Sequence, residues 1–169
     1  MATNTIKLKS YSSVMLEKLA YAAITPGMLI EINSDDEVLA HNSAGANVLP
    51  VMVACENELE GQEITEAYAE DDPVQVWIPQ RGDEAYMILA DGQCALIGDP
   101  LESNGYGYLQ VHSNDAVTPD SDGTVPATVP IYTNQIVAVA LEALDLNLSS
   151  GLESSGTLGY NKRLKVRIV

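Results

Sequence analysis

Short apolar runs that alternate with polar residues, broken repeatedly by Gly, Pro, Asn or Asp, predict a mainly β protein built as a compact β-barrel or β-sandwich. Two further observations support that class. No alternation of strands with helices of the βαβ kind occurs, and no internal repeat is visible along the 169 residues. A hydrophobic fraction of 46% is ordinary for a folded domain and too high for a disordered chain. The expected organisation is an extended N-terminal arm over 1–13, then a single β-rich domain over 14–169. That domain is expected to carry one or two short helices and long loops at 113–130 and 145–161.

The elements follow in chain order. In the arm, Ile6 and Leu8 alternate with Lys7 and Lys9, as in a short strand or an extended segment. Residues 14–24 fit a strand or a short helix, since Met15, Leu19, Ala22 and Ala23 have helical spacing but no capping box precedes them. Pro26-Gly27 suits the central pair of a type II turn, where glycine tolerates the positive φ. Strands are expected over 28–32 and 37–40, joined by a turn at Ser34-Asp35-Asp36, and again over 51–55. Residues 63–69 have the composition of one or two helical turns, stopped by Glu70-Asp71-Asp72-Pro73. The strongest hairpin signal comes next. Val74, Val76 and Ile78 alternate with Gln75 and Trp77, residues 79–83 form the turn, and 84–90 return. Asp91-Gly92 is a tight-turn signal into 94–97, Gly98-Asp99-Pro100 is a break, and 106–112 resume. Pro119, Pro126 and Pro130 place 113–130 in a surface loop. Residues 135–144 are apolar on both faces, as a central strand would be. A Ser/Gly-rich loop over 147–161 precedes Leu164, Val166 and Ile168, which alternate with Lys165 and Arg167 in a half-buried closing strand.

Charge limits the partners. Twenty-four acids against eight bases give a formal charge of −16. Binding nucleic acid through phosphates needs clustered Lys and Arg, and docking on anionic membranes needs the same, so neither partner is expected. No run approaches the roughly 20 apolar residues of a membrane span, and no apolar leader core is visible near residue 1, so synthesis in a cytoplasm is expected. The bases sit at the ends: Lys7, Lys9 and Lys18, then Lys162, Arg163, Lys165 and Arg167, with Arg81 alone between. Such segregation either steers a partner onto the termini or draws both ends onto nearby carboxylates, the second being favoured.

Chemistry-bearing patterns are few. His41 and His112 are the only histidines and no serine lies in GxSxG, so no catalytic residue is assigned and an enzyme is not expected. Cys55 and Cys94 lack CxxC spacing, lie in apolar contexts and are expected to be buried. No metal or cofactor set is assigned. Asp35-Asp36-Glu37 and Glu70-Asp71-Asp72 offer oxygen ligands for Ca²⁺ but match no EF-hand loop, and solvated turns are the plainer account. Arg81-Gly82-Asp83 spells an adhesion tripeptide, though glycine flanked by polar residues is ordinary turn chemistry. Trp77 lies opposite Val74, Val76 and Ile78, so it is either covered within the chain or a candidate subunit contact. The backbone of Thr5, Ile6, Lys7, Leu8 and Lys9 is a candidate binding arm that adds a strand to a partner's sheet edge, against the alternative of a frayed terminus.

The capsid enters through a resemblance. Three runs resemble a family of tailed-bacteriophage head decoration, or cement, proteins: Ile24-Thr25-Pro26-Gly27-Met28-Leu29-Ile30-Glu31, residues 74–84, and Gly98-Asp99-Pro100-Leu101-Glu102-Ser103-Asn104-Gly105. Residues 136–144 and the ending Arg163-Leu164-Lys165-Val166-Arg167-Ile168-Val169 complete the likeness, which covers about 14–169. The resemblance implies a decoration fold of the β-tulip kind and a structural virion protein on the outer capsid surface. Its partners would be the major capsid protein and itself, as a homotrimer at threefold or quasi-threefold positions. Three copies carry three times −16, or −48, so the expected trimer contact is β-face packing with few acids. Two other functions fit the composition: an acidic DNA mimic that inhibits a host DNA-binding protein, and an adhesive β-module on a virion.

Overall fold

The computed structural model describes residues 4–11, 14–113, 134–148 and 162–169. The protein is mainly β. In chain order the strands are β1 (Lys7–Lys9), β2 (Val14–Leu19), β3 (Ile30–Ile32), β4 (Val38–Ala40), β5 (Val53–Ala54), β6 (Pro73–Ile78) and β7 (Glu84–Ile88). After them come β8 (Cys94–Ala95), β9 (Pro100–Ser103), β10 (Leu109–Val111), β11 (Ala138–Ala140), β12 (Leu144–Asp145) and β13 (Arg163–Ile168). The loops expected at 113–130 and 145–161 lie almost wholly outside the described residues.

A six-stranded sheet has the order β1-β7-β13-β11-β9-β10, and a three-stranded sheet the order β2-β6-β5. Two ribbons, β3-β4 and β8-β12, complete the described pairing. Leu89 forms an isolated parallel bridge with Leu109, and the Ala90 N–H donates to the Leu109 carbonyl at 2.7 Å. The far edge of the large sheet thus returns to the end of β7 at one point. Without a continuous ladder there, no closed barrel forms among the described residues.

Packing follows from the three-stranded sheet, which has a core on each face. Trp77 and Val53 share one apolar cluster with Ala85, Met87, Leu164 and Val166 of the large sheet. Val74, Val76 and Ala54 share the other with Ile30 and Val38 of the β3-β4 ribbon and with Ile24 and Tyr68. Strand period two therefore delivers alternate residues of β6 to two different cores.

Several expectations are corrected here. The described residues contain no α-helix. Residues 14–19 form β2, paired with β6 from Val14↔Ile78 to Leu19↔Pro73, so long-range pairing overrides the helical spacing. Around 63–69 the chain makes turns, anchored by buried Ile64 and by Tyr68, whose hydroxyl donates to the Cys55 carbonyl at 2.8 Å. The largest correction concerns the hairpin. β6 pairs with β2 and β5 whereas β7 pairs with β1 and β13, so the turn at 79–83 carries the chain from one sheet to the other. The single strand expected over 135–144 is also divided: β11 is central between β13 and β9 as its apolar faces require, but Leu144 pairs with Ala95 in the separate β8-β12 ribbon.

Candidate interaction surface

Within the expected N-terminal arm, residues 6–9 are docked onto the domain. Lys7 pairs with Ala85 and Lys9 with Glu84, and the Tyr86 N–H donates to the Ile6 carbonyl at 2.9 Å. Ile6 is fully buried, and its N–H donates to the Glu56 carboxylate at 3.1 and 3.3 Å. Burying Ile6 stabilises by roughly 1.5–3 kcal/mol, and the Glu56 carboxylate needs that donor because it is itself buried. Residues 5–9 are thus the edge of the large sheet, and the separate arm is corrected to a strand of the domain. Leu8 is half-buried against the first core, and Thr5 is half-buried.

This edge gathers cations. Arg167 Nη2 donates to Glu84 Oε1 at 2.8 Å, and Lys9 Nζ lies 3.9 Å from the same oxygen. The two ends of the described chain therefore meet across one carboxylate. Arg167 beside Glu84 holds its carboxyl below the ordinary value, aided by Lys9. Lys165 lies 4.0 Å from Glu142, whose other oxygen accepts the Lys165 N–H. The remaining C-terminal bases have an interior role. Lys162 and Arg163 are buried, and Arg163 Nη2 donates to the carbonyls of Pro26 and Ile64. The Pro26-Gly27 turn is so close that a Cβ on Gly27 would sit 3.1 Å from the Tyr86 carbonyl oxygen and 3.2 Å from Arg163 Nε. Gly27 also has the expected positive φ, 92°, and the Met28 N–H closes the turn onto the Thr25 carbonyl.

Trp77 is fully buried within the single chain. It has no surface to present to another subunit, which corrects its candidacy as a contact; cover within the chain is what the fold provides. The adhesion tripeptide is similarly closed. Asp83 is fully buried, Oδ1 accepting the Tyr11 N–H at 3.0 Å and Oδ2 the Gln80 N–H at 2.9 Å, so its carboxylate braces the turn. Cys55 is buried and desolvation pushes its thiol up to about 12, but Cys94 is exposed, contrary to expectation. A two-residue ribbon strand covers only one side of such a position.

Many acids act locally. Asp72, Asp99 and Glu66 each accept the N–H of the residue three positions before them. In each case the carboxylate closes a local turn. The Asp35–Asp36–Glu37 turn is organised by Asn33 Oδ1, which accepts the N–H groups of Asp35 and Glu37. Among the described residues no three His, Cys, Asp or Glu side chains gather as a metal site would require.

Two polar constellations had no signal in the sequence. Glu102, buried on β9, accepts from Gln110 and Gln135 at 2.8 Å each and contacts His112 Nδ1 at 2.6 Å. His41, buried after β4, contacts Ser103 Oγ through Nδ1 at 2.7 Å and has Nε2 3.8 Å from Glu31. The second set has the residue types of a hydrolytic triad. Ser103 is fully buried, however, and its Oγ also accepts the Gly105 N–H, so the hydroxyl faces no substrate. Gln135 lies 33 residues from Glu102 and Ser103 lies 62 from His41, and the nearer partners fall in separate elements, so no one pattern in the sequence joins them.

Beside Glu31 and His41 opens a cavity of about 420 Å³. Leu16, Ile30, Met52 and Ile78 form much of its apolar wall. Among the described residues no helix is long and apolar enough to cross a membrane. Compared with known families and with curated proteins, the chain matches no family model and no curated sequence.

Proposed function

We propose that this chain is a structural virion protein that decorates the outer surface of a tailed-phage head and cements neighbouring capsomers, as a homotrimer and without catalysis. We infer with it that the packed sheets form a sandwich of the β-tulip-like decoration kind. The observation that carries the reading is where the family-like runs lie. The 24–31 run is buried at nearly every position, and the C-terminal run reaches it through Arg163 and the Pro26 carbonyl. The residues behind the resemblance are therefore joints of the scaffold, which is what a shared fold would keep. A rigid β body with an acidic surface suits a protein made in many copies, because net charge keeps it soluble. Lys9, Lys165 and Arg167 stand with Glu84 and Glu142, so three bases meet two acids on this acidic body. In this reading the major capsid protein is the partner and the virion surface the location.

The test mixes purified protein with undecorated heads and images the particles. Saturable occupancy on the lattice symmetry is expected; absence of binding across a range of salt and divalent cations would end the reading. Deleting residues 2–12 is a poor probe of the contact because it strips Ile6 from the core. The paired change Lys9→Ser and Arg167→Ser spares the core and is expected to weaken occupancy, with a salt dependence shallower than that of the parent.

A further inference from the structure

Of the eight bases, seven are engaged within the chain by carboxylates, carbonyls, sulfur or burial. Arg81 differs. It is exposed in the turn at 79–83, and its side chain has no hydrogen bond or ion pair with any described residue. In a molecule of charge −16, a guanidinium with no ion pair among the described residues stands out. Glu31 is its counterpart. Its side chain is 31% exposed at the cavity, and its one ion contact among the described residues is His41 at 3.8 Å.

The cavity suits the missing group. Its apolar wall fits the methylene stem of an arginine, and the Glu31 carboxylate beside it fits the planar fork. The turn that bears Arg81 leaves β6 directly after Ile78, and Ile78 itself lines the cavity. Knob and hole are distinct surfaces, as the head-to-tail contact of a closed ring of three copies uses.

We propose that the cavity receives Arg81 of a second copy of this chain, with the guanidinium on Glu31 and the stem against Leu16 and Ile78. The contact answers the charge problem of association: each joint brings one base to the one carboxylate of a cavity whose other lining residues are apolar apart from His41 and Asn47. It rests on the oligomeric part of the function proposed above and on nothing in its capsid part.

Sedimentation equilibrium of the isolated protein tests it. The parent chain should associate, and Arg81→Glu or Glu31→Lys should each weaken association by about tenfold or more, because each leaves like charges face to face. The double variant Arg81→Glu/Glu31→Lys, in which the pair is reversed, should recover most of the loss. Glu31→Gln, which keeps shape beside His41, should weaken association, with a melting temperature unchanged when it is read at concentrations too low for association. A monomeric parent chain, or an oligomer indifferent to both Arg81→Glu and Glu31→Gln, overturns the proposal. Head decoration is scored separately on the same variants. Lattice binding by a parent oligomer that ignores Arg81 would sink this contact alone, whereas Arg81-dependent association without lattice binding would sink the capsid reading alone.

Discussion

β6 and β13 have nearly the same alternating pattern and opposite surroundings. On β13, Leu164, Val166 and Ile168 face the core while Lys165 and Arg167 face out, as a one-sided strand should. On β6, Val74 and Val76 enter one core and Trp77 the other, so both faces are buried. The contrast lies in what each strand continues into. β13 lies in one sheet between β7 and β11, whereas β6 runs into a turn that changes sheet. Asp83 makes that change stable by accepting two backbone N–H groups in the interior, with the Gly82 N–H donating to the Ile168 carbonyl. Alternation thus reports which residues share a face; it does not report what lies over that face.

Substitutions can break or sharpen this contrast. The largest effect is expected at the doubly covered strand. Trp77→Ala should destabilise by about 3–5 kcal/mol in urea unfolding, against less than about 1 kcal/mol for Arg167→Ala on β13. Similar values at the two sites would mean that β6 is not covered on both sides. Next is the crossing itself. Asp83→Ala leaves the N–H groups of Tyr11 and Gln80 without their acceptor and should cost about 1–3 kcal/mol, while Arg81→Ala in the same turn should leave the midpoint almost unmoved at concentrations too low for association. The smallest effect belongs to the outer face of β13. Arg167 lowers the Glu84 carboxyl in the folded state, so the pair's stabilisation is present above the ordinary carboxylate range and is lost as pH falls through the folded value. Melting temperatures of the parent and Glu84→Gln should therefore converge on acidification, and a gap that widens toward low pH would contradict the pairing.

Much of the fold was legible because one-sided strands and glycine turns write themselves locally. The closing strand, the Pro26-Gly27 turn and the Asn33-to-Glu37 turn all appear where composition put them. Partner choice was not legible. Residues 74–90 look like a hairpin because the two halves alternate and a turn separates them, yet the pairing energy goes to strands remote in sequence. Charge misled in two places. Arg163 is interior because carbonyls left open by the Pro26 turn and Ile64 receive it, and the Lys/Ile alternation of the arm conceals a core residue at Ile6. The cavity and its carboxylate come from the meeting of β2, β3, β6 and the segment after β4. No single window of sequence spans those pieces.

The placement of β13 governs how this molecule can be made. Its neighbours β7 and β11 are not hydrogen-bonded to one another, so until residues 163–168 have been synthesised and inserted the two parts of the large sheet lack a ladder between them and share only the Leu89–Leu109 bridge. Completion of the main core therefore follows translation of nearly the whole described chain and depends on closing long stretches of polypeptide. Such non-local closure places assembly in the slow, millisecond-to-second range of single domains. Until that last insertion, the nascent protein exposes an open slot for a strand.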